Sequence, residues 1–71
     1  MYHNGHLIWY AVAVYRPGDY VDHGTGSYNK RDALRMANNY KRNPMYDGYT
    51  IQIDIVDPKD DYTIDTLTIR P

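Results

Sequence analysis

Aspartates are concentrated near the end of the sequence, where the segment DIVDPKDDYTID places five of them between residues 54 and 65. Carboxylates at this density could be metal ligands, a negative surface that attracts a basic partner, or the polar tip of a solvated turn. Three histidines, His3, His6 and His23, are the other side chains that could ligate a transition metal.

The spacing of the aspartates does not fit a calcium loop. Such a loop has a glycine at its sixth position and a glutamate at its twelfth, but counting from Asp57 finds Tyr62 and Thr68 there. His3 and His6 lie in the segment HNGH, which we expect to be a flexible terminus. The sequence therefore predicts no metal ion and no other cofactor.

Catalysis has little support in the sequence. There is no cysteine nucleophile and no G-x-S-x-G turn. His23, Asp22 and Ser27 have the side-chain types of a catalytic triad, but they lie in one loop with nothing to fix their geometry. A chain of 71 residues also has little interior from which to exclude water. We expect a protein that is not an enzyme.

Length and composition predict one cytoplasmic domain, residues 1–71. The absence of cysteine is typical of a reducing compartment. The longest apolar run, LIWYAVAV, is far shorter than the ~20 residues of a membrane span. No cationic segment precedes it and no cleavage site follows it, so we expect neither a signal peptide nor a membrane partner.

Hydrophobic patterning predicts an α+β fold: an antiparallel sheet of three to four strands with one α-helix packed on one face. The element order is β-β-α-β-β, and a turn at RPGD separates the first two strands. The predicted elements are strands at 6–16, 19–24, 48–56 and 62–70 and a helix at 29–42.

The helix has recognisable ends and one apolar stripe. Asn29 is a favourable N-cap, and Pro44 disfavours helical geometry at Asn43. The stripe should face the sheet, with its larger members Met36 and Tyr40 buried. It consists of Ala33, Met36, Ala37 and Tyr40.

The opposite side of the helix is basic. Five of the eight basic residues lie between residues 30 and 42. Such a face could contact nucleic-acid phosphates, although any amphipathic helix carries charges opposite its core, and no aromatic residue lies among these to stack bases. The candidate phosphate-binding residues are Lys30, Arg31, Arg35 and Arg42.

The first strand is apolar on both of its faces. The helix can cover one face only, so either Trp9 or Tyr10 points away from it, according to register. Loops and the N-terminal segment could shield the second face, or a second copy of the chain or another protein could cover it. Nine tyrosines favour a surface of this kind, because tyrosine is enriched at interfaces.

The aspartates of the last hairpin are expected to be exposed. Carboxylates beside aromatic residues repel phosphate and attract a basic protein surface, so nucleic acid is the less favoured partner. With the aromatic residues of the first strand, the hairpin gives a predicted partner-binding set of Trp9, Tyr10, Asp54, Asp57, Asp60, Asp61 and Tyr62.

The segments WYAVAVY, GTGSYNKRDALRMA and YTIQIDIV together resemble small proteins encoded by bacteriophages and mobile elements, including anti-CRISPR and other counter-defence inhibitors. The resemblance implies an inhibitor that acts in the host cytoplasm by binding a basic, nucleic-acid-handling protein such as a defence nuclease complex. It assigns no role to any single residue. A nucleic-acid-binding module that uses the helix and a homo-oligomeric structural protein (a homodimer, for example) are the alternatives.

Overall fold

One helix packs on one face of a four-stranded antiparallel sheet, which confirms the predicted α+β class. The structure is a computed structural model that describes residues 2–3 and 5–71. The sheet has the strand order β4-β3-β5-β6, and β1 and β2 form a separate two-stranded sheet. The elements are β1 (Tyr2–His3), β2 (His6–Leu7), β3 (Trp9–Tyr15), β4 (Thr25–Ser27), α1 (Lys30–Arg42), a 3₁₀ turn (Pro44–Tyr46), β5 (Thr50–Asp57) and β6 (Tyr62–Arg70).

The helix begins and ends where its caps predict. The side chain of Asn29 accepts hydrogen bonds from the backbone N–H groups of Arg31 and Asp32, at 2.9 and 3.3 Å, which satisfies two otherwise unpaired donors. Asn43 leaves helical geometry with ψ of 117°, as expected before a proline. Among the described residues, no helix is both long and apolar enough to cross a membrane.

The core lies between the helix and the two central strands. Strands β3 and β5 pair so that Tyr10 lies opposite Ile55 and Val12 opposite Ile53, and all four side chains face the helix. On the helix, Ala33 and Ala37 are fully buried, since small side chains allow it to approach the sheet closely. Met36 and Tyr40, which were predicted to be buried, are only partly so, and they pack at the border of the core.

Two strand predictions for the N-terminal part of the chain were wrong. Residues 20–24 form no strand, and the partner of β3 is instead the three-residue strand Thr25–Ser27. The predicted first strand 6–16 is interrupted at Ile8, because His6–Leu7 pairs with Tyr2–His3 and not with the main sheet. Both errors concern strand pairing, which local propensity does not determine.

The face of β3 that points away from the helix is largely shielded by the chain itself. Trp9 lies on this face with Ala11 and Ala13, and both alanines have no exposed surface. The Trp9 indole lies over Gly26 of β4 and makes an edge-to-face contact with Tyr28, with ring centroids 4.8 Å apart. The second face of β3 therefore does not by itself require a partner.

We predict that Gly26→Ala destabilises the fold. A Cβ atom at this position would overlap the Tyr10 carbonyl oxygen and lie 2.9 Å from the Trp9 ring, so β4 or the indole would have to move. Overpacking of this kind costs ~1–3 kcal/mol. Urea unfolding monitored by tryptophan fluorescence would measure the loss.

Gly24→Ala is the matched control. Its added Cβ would meet only the side chain of Asp22, at 3.3 Å, and a shift of a few tenths of an ångström in that exposed side chain would relieve the contact. Equal stability losses in the two variants would show that the indole does not require a glycine beneath it.

Candidate functional site

Asp57 is the centre of a cluster at one end of the sheet. It is the last residue of β5, and its side chain has no exposed surface. The carboxylate accepts hydrogen bonds from His3 Nδ1 at 3.1 Å and from His6 Nδ1 at 3.0 Å. The backbone N–H groups of Lys59 and Asp60 donate to its other oxygen at 3.1 and 3.3 Å. A buried carboxylate with several donors is the expected arrangement for a charge removed from water.

The N-terminal hairpin brings the two histidines to this carboxylate. His3 and His6 lie directly opposite each other in the β1–β2 pair, and Gly5 between them has φ of +78°, which glycine adopts without strain. The ring of Tyr62 stacks on His3 with centroids 5.9 Å apart. The sequence was interpreted as a flexible terminus; of this segment the structure describes His3, Gly5 and His6, and both histidines are bonded to Asp57. Gly5 was the available signal, since glycine is common in the turns of tight hairpins.

Hydrogen bonding controls the acidity of Asp57. Burial alone would raise the pKa of this carboxyl group. The hydrogen bonds from His3 and His6, together with the backbone N–H of Asp60, outweigh that effect and lower the pKa from 3.8 to about 2. Asp57 therefore remains a carboxylate under all but strongly acidic conditions.

A second carboxylate, Asp54, is held on the sheet face away from the helix. Only 6% of the residue is exposed. It accepts hydrogen bonds from Gln52 and Thr66, both at 2.9 Å, and pairs with His23 Nε2 at 2.5 Å. Gln52 in turn accepts a hydrogen bond from the Tyr15 hydroxyl at 3.1 Å. This network joins the loop before β4 to strands β3, β5 and β6.

The loop residues that resembled a catalytic triad do not come together. His23 pairs with Asp54, whereas the Asp22 carboxylate accepts a hydrogen bond from the Gly24 backbone at 3.0 Å. The Ser27 hydroxyl oxygen accepts a hydrogen bond from the backbone N–H of Asn29 at 3.0 Å. These three side chains are each engaged with different partners.

Of the four hairpin aspartates predicted to be exposed, two are exposed and two are buried. Asp60 and Asp61 are exposed at the turn, as expected, but Asp54 and Asp57 are buried. Asp54 is covered by the loop before β4, whose His23 pairs with it, and Asp57 is covered by the N-terminal hairpin and the β5–β6 turn. Tyr10 also has to be removed from the predicted partner-binding surface, because it lies in the core with 5% of its area exposed.

The exposed members of the predicted set, Asp60, Asp61 and Tyr62, lie at the β5–β6 turn and the start of β6, and Asp65 of β6 is a further exposed carboxylate. Tyr62 is about half exposed, and Asp65 is exposed further along the strand. Asp61 has φ of +51°, in the left-handed region that aspartate and asparagine tolerate better than most residues. Strand β6 is the last strand of the sheet order, and no strand of the described chain pairs with its outer side.

The basic helix face is exposed but only partly available to a ligand. Lys30, Arg31 and Arg42 are exposed, as predicted. Arg35 is also exposed, but it forms an ion pair with Asp32 at 2.6 Å, one turn earlier on the helix. That pairing reduces the positive charge that the stripe would offer to phosphate.

A shallow cleft of about 180 Å³ lies on the helix side of the sheet, lined in part by Val12, Val14 and Tyr40. Sites for small organic ligands usually enclose ~300–1,000 Å³, so this cleft is small for that purpose.

The chain matches no family model, no curated protein and no solved structure. The arrangement of its own side chains is therefore the basis for proposing a function.

We predict that Asp57 makes stability depend on pH in the acid range. Its folded-state pKa lies below the usual value, so the unfolded chain binds more protons. The stabilisation is complete above a pH of about 3.8 and is lost as the pH falls through about 2. Urea unfolding from about pH 5 down to about pH 2, with EDTA present, should show a steeper loss for wild type than for Asp57→Asn.

Asp65→Asn serves as the control for this measurement. Asp65 is exposed and accepts a hydrogen bond only from the adjacent Thr66 backbone, at 2.8 Å, which asparagine can also accept. This variant should retain the acid-dependent loss. If Asp57→Asn loses stability as steeply as wild type, other carboxyl groups cause the acid sensitivity.

Proposed function

We propose that this protein is a non-enzymatic binding module whose β6 strand pairs with an extended, lysine- or arginine-bearing segment of a partner protein. The observation that carries the proposal is the position of β6. It is a nine-residue outer strand with no described neighbour on one side, and exposed carboxylates accompany it.

The outer side of β6 has the properties of a strand-addition site. An edge strand presents unpaired N–H and C=O groups, which a further strand can satisfy. Proteins commonly protect such edges by keeping them short or by placing lysine or proline on them. The other edge strand, β4, is protected by its length of only three residues. Strand β6 has nine residues, and none of them is lysine or proline.

The stretch from Asp65 to Thr68 is the part of β6 best suited to accept a strand. The pairing of β5 with β6 shifts register twice, at Ile55/Val56 and at Ile51/Gln52. Between those shifts the pairing is regular. A register shift bends and twists a strand, so an added segment would bind most regularly between the two.

Charge favours a basic partner segment. Asp60, Asp61 and Asp65 are exposed along the turn and the strand, against one exposed lysine, Lys59. Clustered carboxylates speed association with a basic surface, and the half-exposed ring of Tyr62 offers an apolar contact beside them. Proteins that handle nucleic acids present basic surfaces of this kind, consistent with the counter-defence role that the sequence resemblance implies.

We predict that a photoreactive residue on β6 crosslinks to the partner. p-Benzoylphenylalanine at Thr63 or Thr68, both exposed on β6, should capture a protein in bacterial cells, and the adduct should survive nuclease treatment. The same residue at Thr25, on the edge strand β4, or at exposed Arg31, on the helix, provides a matched control. Mass spectrometry would identify the crosslinked peptide.

The crosslinked species distinguishes the candidate functions. A basic peptide bound at β6 positions, and not at the control positions, supports strand addition. Nucleic acid captured at Arg31 would favour the helix face, and a peptide of the chain itself captured at β6 would favour a homo-oligomer. Either of those two results would contradict the proposal.

We predict that removing charge without changing geometry slows partner binding. Asp61→Asn retains a residue that tolerates positive φ, and Asp65→Asn retains the acceptor for the Thr66 backbone N–H. The double variant should keep the wild-type melting temperature, since exposed charges stabilise little. Its association rate should fall and should depend less on salt than that of wild type.

The control removes the same charge elsewhere on the surface. Asp19 and Asp47 are exposed and lie outside the β5–β6 turn, so Asp19→Asn with Asp47→Asn should leave association unchanged. Surface plasmon resonance with the captured partner at two salt concentrations would compare the variants. Equal association rates in all of them would show that the acidic turn does not steer binding.

A further inference from the structure

Two imidazoles and two carboxylates converge beside the β5–β6 turn. The ligand atoms of His3, Asp57 and Asp60 all lie within 4.8 Å of one another, and His6 Nδ1 is 3.0 Å from Asp57 and 3.5 Å from Asp60. We propose that His3, His6, Asp57 and Asp60 bind one divalent transition-metal ion of the Zn²⁺ type. The site is independent of the strand-addition proposal.

Three of the separations between these side chains are close to those between the ligands of a tetrahedral ion. With bond lengths of about 2.0–2.1 Å, neighbouring ligand atoms of a tetrahedral Zn²⁺ site are about 3.3–3.4 Å apart. Asp57 Oδ2 lies 3.1 Å from His3 Nδ1 and 3.0 Å from His6 Nδ1, and the second carboxylate lies 3.5 Å from His6. The mutually close ligand atoms belong to His3, Asp57 and Asp60, so an ion would replace the present hydrogen bonds there and the His6 ring would move towards it to complete the site.

The ligand types select the class of ion. Imidazole nitrogen suits Zn²⁺ and other first-row transition metals, whereas Mg²⁺ and Ca²⁺ prefer oxygen ligands throughout. Each neutral histidine would bind through Nδ1 in the tautomer that carries its proton on Nε2, so tautomer exchange frees the nitrogen without releasing a proton. The histidine side chains are 33% and 24% exposed, which leaves both rings in partial contact with solvent.

Surrounding contacts hold the ligands in place before an ion arrives. The backbone N–H groups of Lys59 and Asp60 donate to Asp57 Oδ1, and Tyr62 stacks on the ring of His3. Outer contacts of this kind orient metal ligands and affect affinity. The Asp60 side chain is 46% exposed, so an ion can enter from its side.

A bound ion would connect distant parts of a small chain. His3 and Asp57 are 54 positions apart, and His6 and Asp57 are 51 apart. Chains of this size often need a metal or another crosslink in addition to their core, and this one has no cysteine to form a disulfide. An ion here would hold the N-terminal hairpin against the β5–β6 turn.

Metal binding is testable on the tag-free chain with Zn²⁺ and Co²⁺. Calorimetric titration with ZnCl₂ should give one ion per chain, and the thermal midpoint should rise with Zn²⁺ concentration. Co²⁺ should give the intense visible absorption of a four-coordinate site.

Matched variants locate the site. His3→Gln and His6→Gln retain an amide that can donate to Asp57 but lose the imidazole ligand, and each should weaken Zn²⁺ binding by at least ~10-fold. Asp60→Asn should also weaken Zn²⁺ binding. It should leave the fold unchanged, because Asp60 contacts Asp57 through the Asp60 backbone N–H. His23→Gln removes the third histidine, which pairs with Asp54, and should bind Zn²⁺ as wild type does.

The outcomes separate a metal site from a purely structural cluster. Circular dichroism shows whether each variant is folded. If a histidine variant does not fold, Asp60→Asn still tests the proposal. Absence of saturable Zn²⁺ binding, or equal binding by wild type and Asp60→Asn, would overturn the proposal. An effect of His23→Gln as large as that of His3→Gln would also overturn it.

Discussion

The rest of the structure depends on how two buried carboxylates on the central strand are satisfied. Asp54 and Asp57 have almost no exposed surface, although a buried charge is strongly destabilising unless it is paired and hydrogen-bonded. Asp57 takes its donors from the N-terminal hairpin and the β5–β6 turn. Asp54 takes its donors from the loop before β4 and from β6. Polar contacts to these two carboxylates thus help to fix the N-terminal hairpin, the loop before β4 and the β5–β6 turn to the sheet.

This arrangement divides the aspartates between interior and surface. Of the five aspartates in residues 54–65, two organise the fold, and the other three, Asp60, Asp61 and Asp65, are exposed at the turn and along the outer strand. The negative charge available to a partner is therefore smaller than the sequence suggested, and it is located beside the unpaired side of β6. The unpaired strand edge and the exposed carboxylates lie side by side there. For this reason we favour strand addition over contact through the aromatic face of β3.

The proposed metal site and the proposed binding edge meet at the β5–β6 turn. Asp60 would be a metal ligand, and Asp61 and Tyr62 follow it immediately along the chain. An ion would neutralise part of the negative charge at the turn while fixing its backbone. The two proposals nonetheless rest on different observations, since one concerns the convergence of four side chains and the other an unpaired strand edge.

The sequence alone determined the features that depend on neighbouring residues. The cap at Asn29, the end of the helix at Asn43 and the strand at 62–70 were all predictable, because capping, proline geometry and alternation act within a few residues. The α+β class followed from the number and order of these elements. Exposure of Asp60 and of the helix arginines followed from their positions in a turn and opposite the apolar stripe.

Only the tertiary structure decided which segments meet across long separations. The pairing of β3 with Thr25–Ser27 in place of residues 19–24, and the burial of Tyr10 beneath the helix, depend on register. The histidines that reach Asp57 are more than fifty positions away from it. No local pattern encodes such contacts, because they form only when the fold places the N-terminal hairpin beside the β5–β6 turn. For that reason the cluster at Asp57, which is the strongest chemical feature of this protein, was not predicted from its sequence.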